Sequence, residues 1–223
     1  MERDRDLSGH ELLALLYEPP RHIFSNKHGT IVVHGASREE RRLIFGALKV
    51  VTPQIQKAID SISILSSGDS TRGHLKCLDN DPANPIVAHC HSSKPSCICV
   101  ERPYLDKGFI WHEAAHALTF NLDQSFLESW RAIAGDVYGK NRYPPEQAFP
   151  DFGVLTRYGS RDELEDIAEW VELIYMAAVE SDAKVFKKVA AQKDPRYLRK
   201  LLSLYIHDFF VIKILHQIKP LIA

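Results

Sequence analysis

Apolar and polar positions recur with two different periods, and the change of period divides the chain. Thr30-Ile31-Val32-Val33-His34 is a β-branched run that stops at Gly35 and predicts a strand. Ser37-Arg38-Glu39-Glu40 follows as a capping box, and Leu43, Ile44, Ala47, Leu48 and Val51 then recur at helical spacing. Thr52-Pro53 restarts a helix as cap and first-turn proline, with Ile55 and Ile59 on its buried side. Ser61-Ile62-Ser63-Ile64-Leu65-Ser66 alternates with period two and stops at Gly68-Asp69, which predicts a second strand.

The flanks of this strand–helix–strand unit differ. Residues 1–29 are expected to form a lead-in, with a short helix over 7–17, Pro19-Pro20, and a polar turn through Asn26 to Gly29. Residues 67–96 are polar, contain Pro82, Pro85 and Pro95, and predict irregular chain. Cys97-Ile98-Cys99-Val100 predicts a short edge strand. Helical periodicity then dominates over 109–122, 124–138, 161–180, 182–191 and from Asp194 onward, with a loop from Tyr143-Pro144-Pro145 through Gly153. The C-terminal run from Tyr197 to Ile214 is apolar enough for a pair of core helices. The expected class is α+β: one domain over 30–223, with a small mixed sheet and a mainly helical C-terminal half.

Composition narrows the function classes. With 45% hydrophobic and 26% charged residues, the 223-residue chain has the profile of a globular protein. Lys+Arg number 28 against 29 Asp+Glu, so no bulk electrostatic term asks for nucleic acid or an anionic membrane. No stretch approaches the roughly 20 apolar residues of a membrane span. The charged start Met1-Glu2-Arg3-Asp4-Arg5-Asp6 lacks the apolar core of a signal peptide. The cytoplasm is the default expectation, or secretion where a leader has been removed. The 11 histidines direct attention to metal or acid–base chemistry.

His112-Glu113-Ala114-Ala115-His116 matches H-E-x-x-H. Residues four apart share a helix face, so both imidazoles can reach one metal ion. Glu113 lies about 100° around the helix, where it can reach water without being a ligand. A zinc ion with three protein ligands keeps its fourth position for that water and lowers its pKa towards roughly 7. A chance match of this motif is expected in roughly 3% of chains of this composition. The surrounding segment argues against chance: Phe109-Ile110-Trp111, Ala114-Ala115, Ala117-Leu118 and Phe120 predict burial on almost every side. Two buried imidazoles and a carboxylate without partners would cost several kcal/mol, which a metal ion removes.

The third ligand must lie downstream. The extended metzincin motif would place Gly and His at positions occupied by Thr119 and Leu122, so that branch is excluded. In the segment Tyr158 to Glu172, Leu164, Ile167, Ala168 and Val171 form an apolar stripe, with Glu165, Glu169 and Glu172 on the opposite flank. Asp162, Glu163 and Asp166 are rivals, because one residue of helical register decides among them.

Tyr158-Gly159, Glu165 seven residues after the tyrosine, and Glu165-x-x-Ala168-Glu169 together resemble the gluzincin zinc metallopeptidases typified by the anthrax lethal factor catalytic domain and the Pro-Pro endopeptidases. The motif-level resemblance spans residues 109–176. It implies a zincin-like fold, zinc on His112, His116 and Glu165, and Glu113 as general base. It also implies that Tyr158 stabilises the tetrahedral intermediate and that Glu169 supports the site from near the metal. A phenol hydroxyl there would donate to a developing oxyanion, and Gly159 would give the chain an unusual dihedral beside it. The implied activity is hydrolysis of peptide bonds in a peptide or protein substrate by a monomeric endopeptidase, with no nucleic-acid or membrane partner. The competing readings are a non-catalytic zincin-like binding module and an effector acting on one dedicated protein.

Cys77, Cys90, Cys97 and Cys99, with His74, His89 and His91, form a Cys/His-rich stretch just before the motif helix. It is a candidate for a second, structural zinc or a disulfide, although no C-x-x-C pair is present. Free thiols beside a His-rich loop are the plain alternative. An edge strand at Ile98–Val100 would offer backbone groups to an extended substrate.

Overall fold

The computed structural model describes residues 22–26, 29–66, 88–92, 95–135, 137–138, 153–156, 158–180, 194–214 and 216–217, with isolated positions between 182 and 191. Five strands form one mixed sheet: β1 (His22–Asn26), β2 (Gly29–His34), β3 (Ile59–Leu65), β4 (Ala88–Cys90) and β5 (Ser96–Glu101). Their spatial order is β1-β2-β3-β5-β4, with β2, β3 and β5 parallel and both outer strands antiparallel to their neighbours. The helices are α1 (Arg38–Leu48), α2 (Pro53–Ala58), α3 (Lys107–Thr119), α4 (Gln124–Ala134), α5 (Glu163–Val179) and α6 (Pro195–Ile206), with a 3-10 turn at Arg102–Tyr104. The expected α+β class, mixed sheet and helical second half are therefore present.

Local sequence explains most of the element starts. The Ser37 hydroxyl accepts from the Glu40 N–H at 3.3 Å, and the Glu40 carboxylate accepts from the Ser37 N–H at 2.5 Å, closing the capping box of α1. Thr52 caps α2, with Pro53 in its first turn. Asp106 accepts from the Phe109 N–H at 2.8 Å and starts α3. α4 ends at Ala134 rather than continuing to 138, because Gly135 (φ 74°) turns the chain out of the helix.

Three short-range expectations are corrected. Residues 22–26, read from sequence as part of a polar turn, form β1; Phe24 is buried, with its ring 5.3 Å from that of Phe45. With only Ile23 and Phe24 apolar, alternation there is too short to register. Residues 88–90, read as irregular chain, form β4. The Cys97–Val100 run lies in β5, which is an interior strand: β4 covers its outer side and is the outermost strand there among the described residues. The helix expected over 7–17, Cys77, His74 and the Tyr143-Pro144-Pro145 loop lie outside the described residues, as does most of 182–191.

One sheet face is apolar, and the helices pack on it. Ile31, Val33, Ile62, Ile64, Ile98 and Val100 join a core with α1, α2, α3 and α5. Helix α3 is enclosed by α1, α2, α5 and the sheet, so 11 of its 13 residues are buried. Trp111 stacks on Tyr175 at 5.4 Å and donates its indole N–H to the Ala47 carbonyl at 3.2 Å. Burial of each such side chain stabilises the fold by about 1.5–3 kcal/mol. The C-terminal run divides: Tyr197, Leu201, Leu204, Phe209 and Phe210 enter the core, while Leu198, Leu202 and Ile206 are exposed. No described helix is long and apolar enough to cross a membrane.

Candidate metal centre

Helices α3 and α5 pack against each other, and their contact brings the motif histidines to Glu165. His112 Nε2 lies 3.1 Å and His116 Nε2 3.4 Å from Glu165 Oε2. One ligating atom from each of the three residues lies within 4.8 Å of the others. Donors held 2.0–2.1 Å from a tetrahedral zinc are roughly 3.3 Å apart, so these separations fit that ion closely. The chemistry agrees: two imidazoles and one carboxylate converge, with the further carboxylates of Glu113 and Glu172 beside them.

The register of α5 decides which acid faces the histidines. Asp162 is the cap, accepting from the N–H groups of Leu164 and Glu165 at 3.0 Å each. Glu163 pairs with Arg131. Asp166 is fully buried on another side, accepting from Trp130 Nε1 at 2.8 Å, Tyr138 Oη at 2.5 Å and Lys200 Nζ. Each rival of Glu165 is thus engaged elsewhere.

Glu113 is buried beside both rings, and its Oε2 has no hydrogen-bond partner among the described residues. Burial raises its pKa, against the opposing pull of His116 and His112. Glu113 also borders a cleft, and a carboxylate placed there can exchange a proton with a group bound in it. Burial alone would lower the His112 pKa, but hydrogen bonds to Glu165 and Glu172 raise it to about 10. Burial opposes ionisation of Glu165 as well, yet its bonds to His112 and His116 hold it far below the usual carboxylate range. A metal ion bound here would have to displace the imidazole proton, so its affinity would fall at acid pH.

Glu172, placed by sequence on the same flank as Glu165, takes a specific part. Its Oε2 accepts from His112 Nδ1 at 3.2 Å, and its Oε1 lies close enough to Gly108 that a Cβ there would approach it to 2.9 Å. Such a carboxylate fixes the tautomer and aim of a ligating ring. Glu169 acts elsewhere. It accepts from the Thr156 hydroxyl and from the Gly159 N–H at 3.1 Å, and Thr156 Oγ1 in turn accepts from the Tyr158 N–H at 3.0 Å. Glu169 therefore anchors the turn that carries Tyr158.

Gly159 is required by crowding rather than by a special dihedral: a Cβ would stand 2.5 Å from Glu169 Oε2, and its φ is not positive. Tyr158 is half exposed, with its ring 6.1 Å from that of His112. Burial and the neighbouring Glu165 charge raise its pKa, so it stays a proton donor at neutral pH. A cleft of about 430 Å³ opens here, lined on one side by Ala88–Ser92 and on the other by Tyr158, Arg161 and Leu164, with Glu113, His116 and Glu165 at its base. Sequence reasoning missed Thr156 and β4. Neither carries a recognisable local signal, since both matter only through what they touch. No family model matches this chain, and no curated protein matches it.

Proposed function

We propose that this protein is a zinc-dependent endopeptidase of the gluzincin type. The observation that carries the reading is the convergence of His112, His116 and Glu165 within 4.8 Å, next to a buried Glu113 with an oxygen unsatisfied among the described residues. His112, His116 and Glu165 would hold the metal. Bound zinc would act as a Lewis acid towards a peptide carbonyl and lower the pKa of water towards roughly 7.

The chain's own groups account for the remaining demands of the reaction. Glu113 accepts the proton of the attacking water and returns it to the leaving amine. The Tyr158 hydroxyl donates to the oxyanion that develops on the scissile carbonyl. β4 is the outermost described strand on its side of the sheet and borders the cleft, so an extended substrate can lie along it and exchange backbone hydrogen bonds. Substrates are peptides or proteins in extended conformation.

The test is cleavage of a peptide library by the zinc-loaded protein, with a chelator control. Glu113→Gln is expected to lose several orders of magnitude in turnover while keeping its zinc. An unchanged rate in that variant would refute the mechanism. Retained peptide binding without any cleavage by the wild-type protein would favour a zincin-like binding module instead.

A further inference from the structure

Strands β4 and β5 carry a second group of metal-ligating side chains, separate from His112, His116 and Glu165. Ala88 and Cys90 pack into the core, as do Ile98 and Val100, so the alternate residues of β4 and β5 face the other way. His89 stands directly opposite Cys99 in the antiparallel ladder. The His91 N–H donates to the Cys97 carbonyl at 2.9 Å, which places His91 opposite Cys97 two residues along on the same face. His-x-His on one strand thus faces Cys-x-Cys on the next.

The side chains converge. His89 Nε2 and His91 Nε2 are 2.8 Å apart, and the Cys99 sulfur joins them within 4.8 Å. Cys97 and Cys99 line a cavity of about 380 Å³ together with His34, Ser61, Ser63 and His91. Cys97 Sγ accepts from the Ser61 hydroxyl at 3.3 Å. Cys90 is excluded from the group because it faces the core. Imidazole nitrogens on one zinc ion lie about 3.3 Å apart, so the two rings need open by only about half an ångström. A donor set of imidazole and thiolate without a carboxylate selects zinc over magnesium or calcium.

We propose that His89, His91 and Cys99, completed by Cys97, bind a structural zinc ion on this face. The ion would tie the three-residue strand β4 to β5. Because Ala88–Ser92 form one wall of the cleft, the tie would hold that wall in place. The inference does not depend on whether the first site is catalytic.

Elemental analysis of the purified protein should give about two zinc ions per chain, falling to about one in His112→Gln/His116→Gln and to about one in Cys97→Ser/Cys99→Ser. Cobalt replacement gives an independent readout that needs no variant. The first site has no sulfur, so a near-ultraviolet thiolate-to-cobalt charge-transfer band in the wild-type protein reports the second. That band should persist in His112→Gln/His116→Gln and vanish in Cys97→Ser/Cys99→Ser. If the serine variant does not fold, His89→Gln/His91→Gln replaces it, with loss of the band again expected. A cobalt-loaded wild type without the band would overturn the proposal. A band or zinc content unaffected by the serine substitutions would overturn it equally.

Discussion

The Nδ1–H of His112 donates to Glu172 at 3.2 Å, whereas the buried Nδ1 of His116 has no hydrogen-bond partner among the described residues. The two histidines of one motif are therefore supported unequally. Removing a carboxylate that orients a metal-ligating ring typically costs 10–100-fold in metal affinity or activity. Glu172→Ala is expected to weaken zinc binding by roughly that factor, read by competition with a chromophoric chelator. An unchanged Kd would show that packing alone aims the ring.

The Tyr158 turn should affect turnover and leave zinc in place. Removal of a single oxyanion donor typically lowers kcat by about 10²–10³, and Tyr158→Phe is expected to fall in that range with little change in KM. Gly159→Ala should act in the same direction, because its Cβ would sit 2.5 Å from Glu169 Oε2 and push the turn aside. Steady-state kinetics beside zinc analysis check both; loss of zinc in Tyr158→Phe would contradict the assigned role.

Lys200 and Asp166 are both fully buried and paired. Burial lowers the Lys200 pKa and raises that of Asp166, and the charge of each partner opposes the shift. Lys200→Met would strand the Asp166 carboxyl and should cost about 3–5 kcal/mol in chemical denaturation. Asp166→Asn/Lys200→Met should cost less than the single substitution, since no charge is then left behind. Equal losses would mean that packing around Lys200, not charge, is responsible.

Glu169 predicts a pH dependence of stability. Its burial, opposed by the Thr156 hydrogen bond, raises its pKa from 4.5 to about 8. Between those values the folded protein holds a proton that the unfolded chain has released. The contribution of Glu169 to stability is full below about pH 4.5, falls as pH rises, and is gone above about 8. With chelator present, melts of Glu169→Gln over pH 5–8 should show a slope shallower than wild type by about 1 kcal/mol per pH unit. Parallel slopes would show that Glu169 is ionised in the folded state.

Sequence alone determined what short-range chemistry dictates. The capping box at Ser37 and Glu40, the Thr52-Pro53 start, the two strands β2 and β3, and the helix bearing His112 and His116 follow from spacing along one segment. Glu165 was one of four acids that a single turn of helix could present. Only the docking of α5 on α3 chose it, with Asp162, Glu163 and Asp166 drawn off to a cap, an arginine and a buried lysine. Thr156, the division of labour between Glu169 and Glu172, and the facing of His89 and His91 with Cys99 were decided in the same way. A spacing rule reaches one turn of helix or one step of strand, whereas these contacts join segments whose separation in the chain carries no periodic signal.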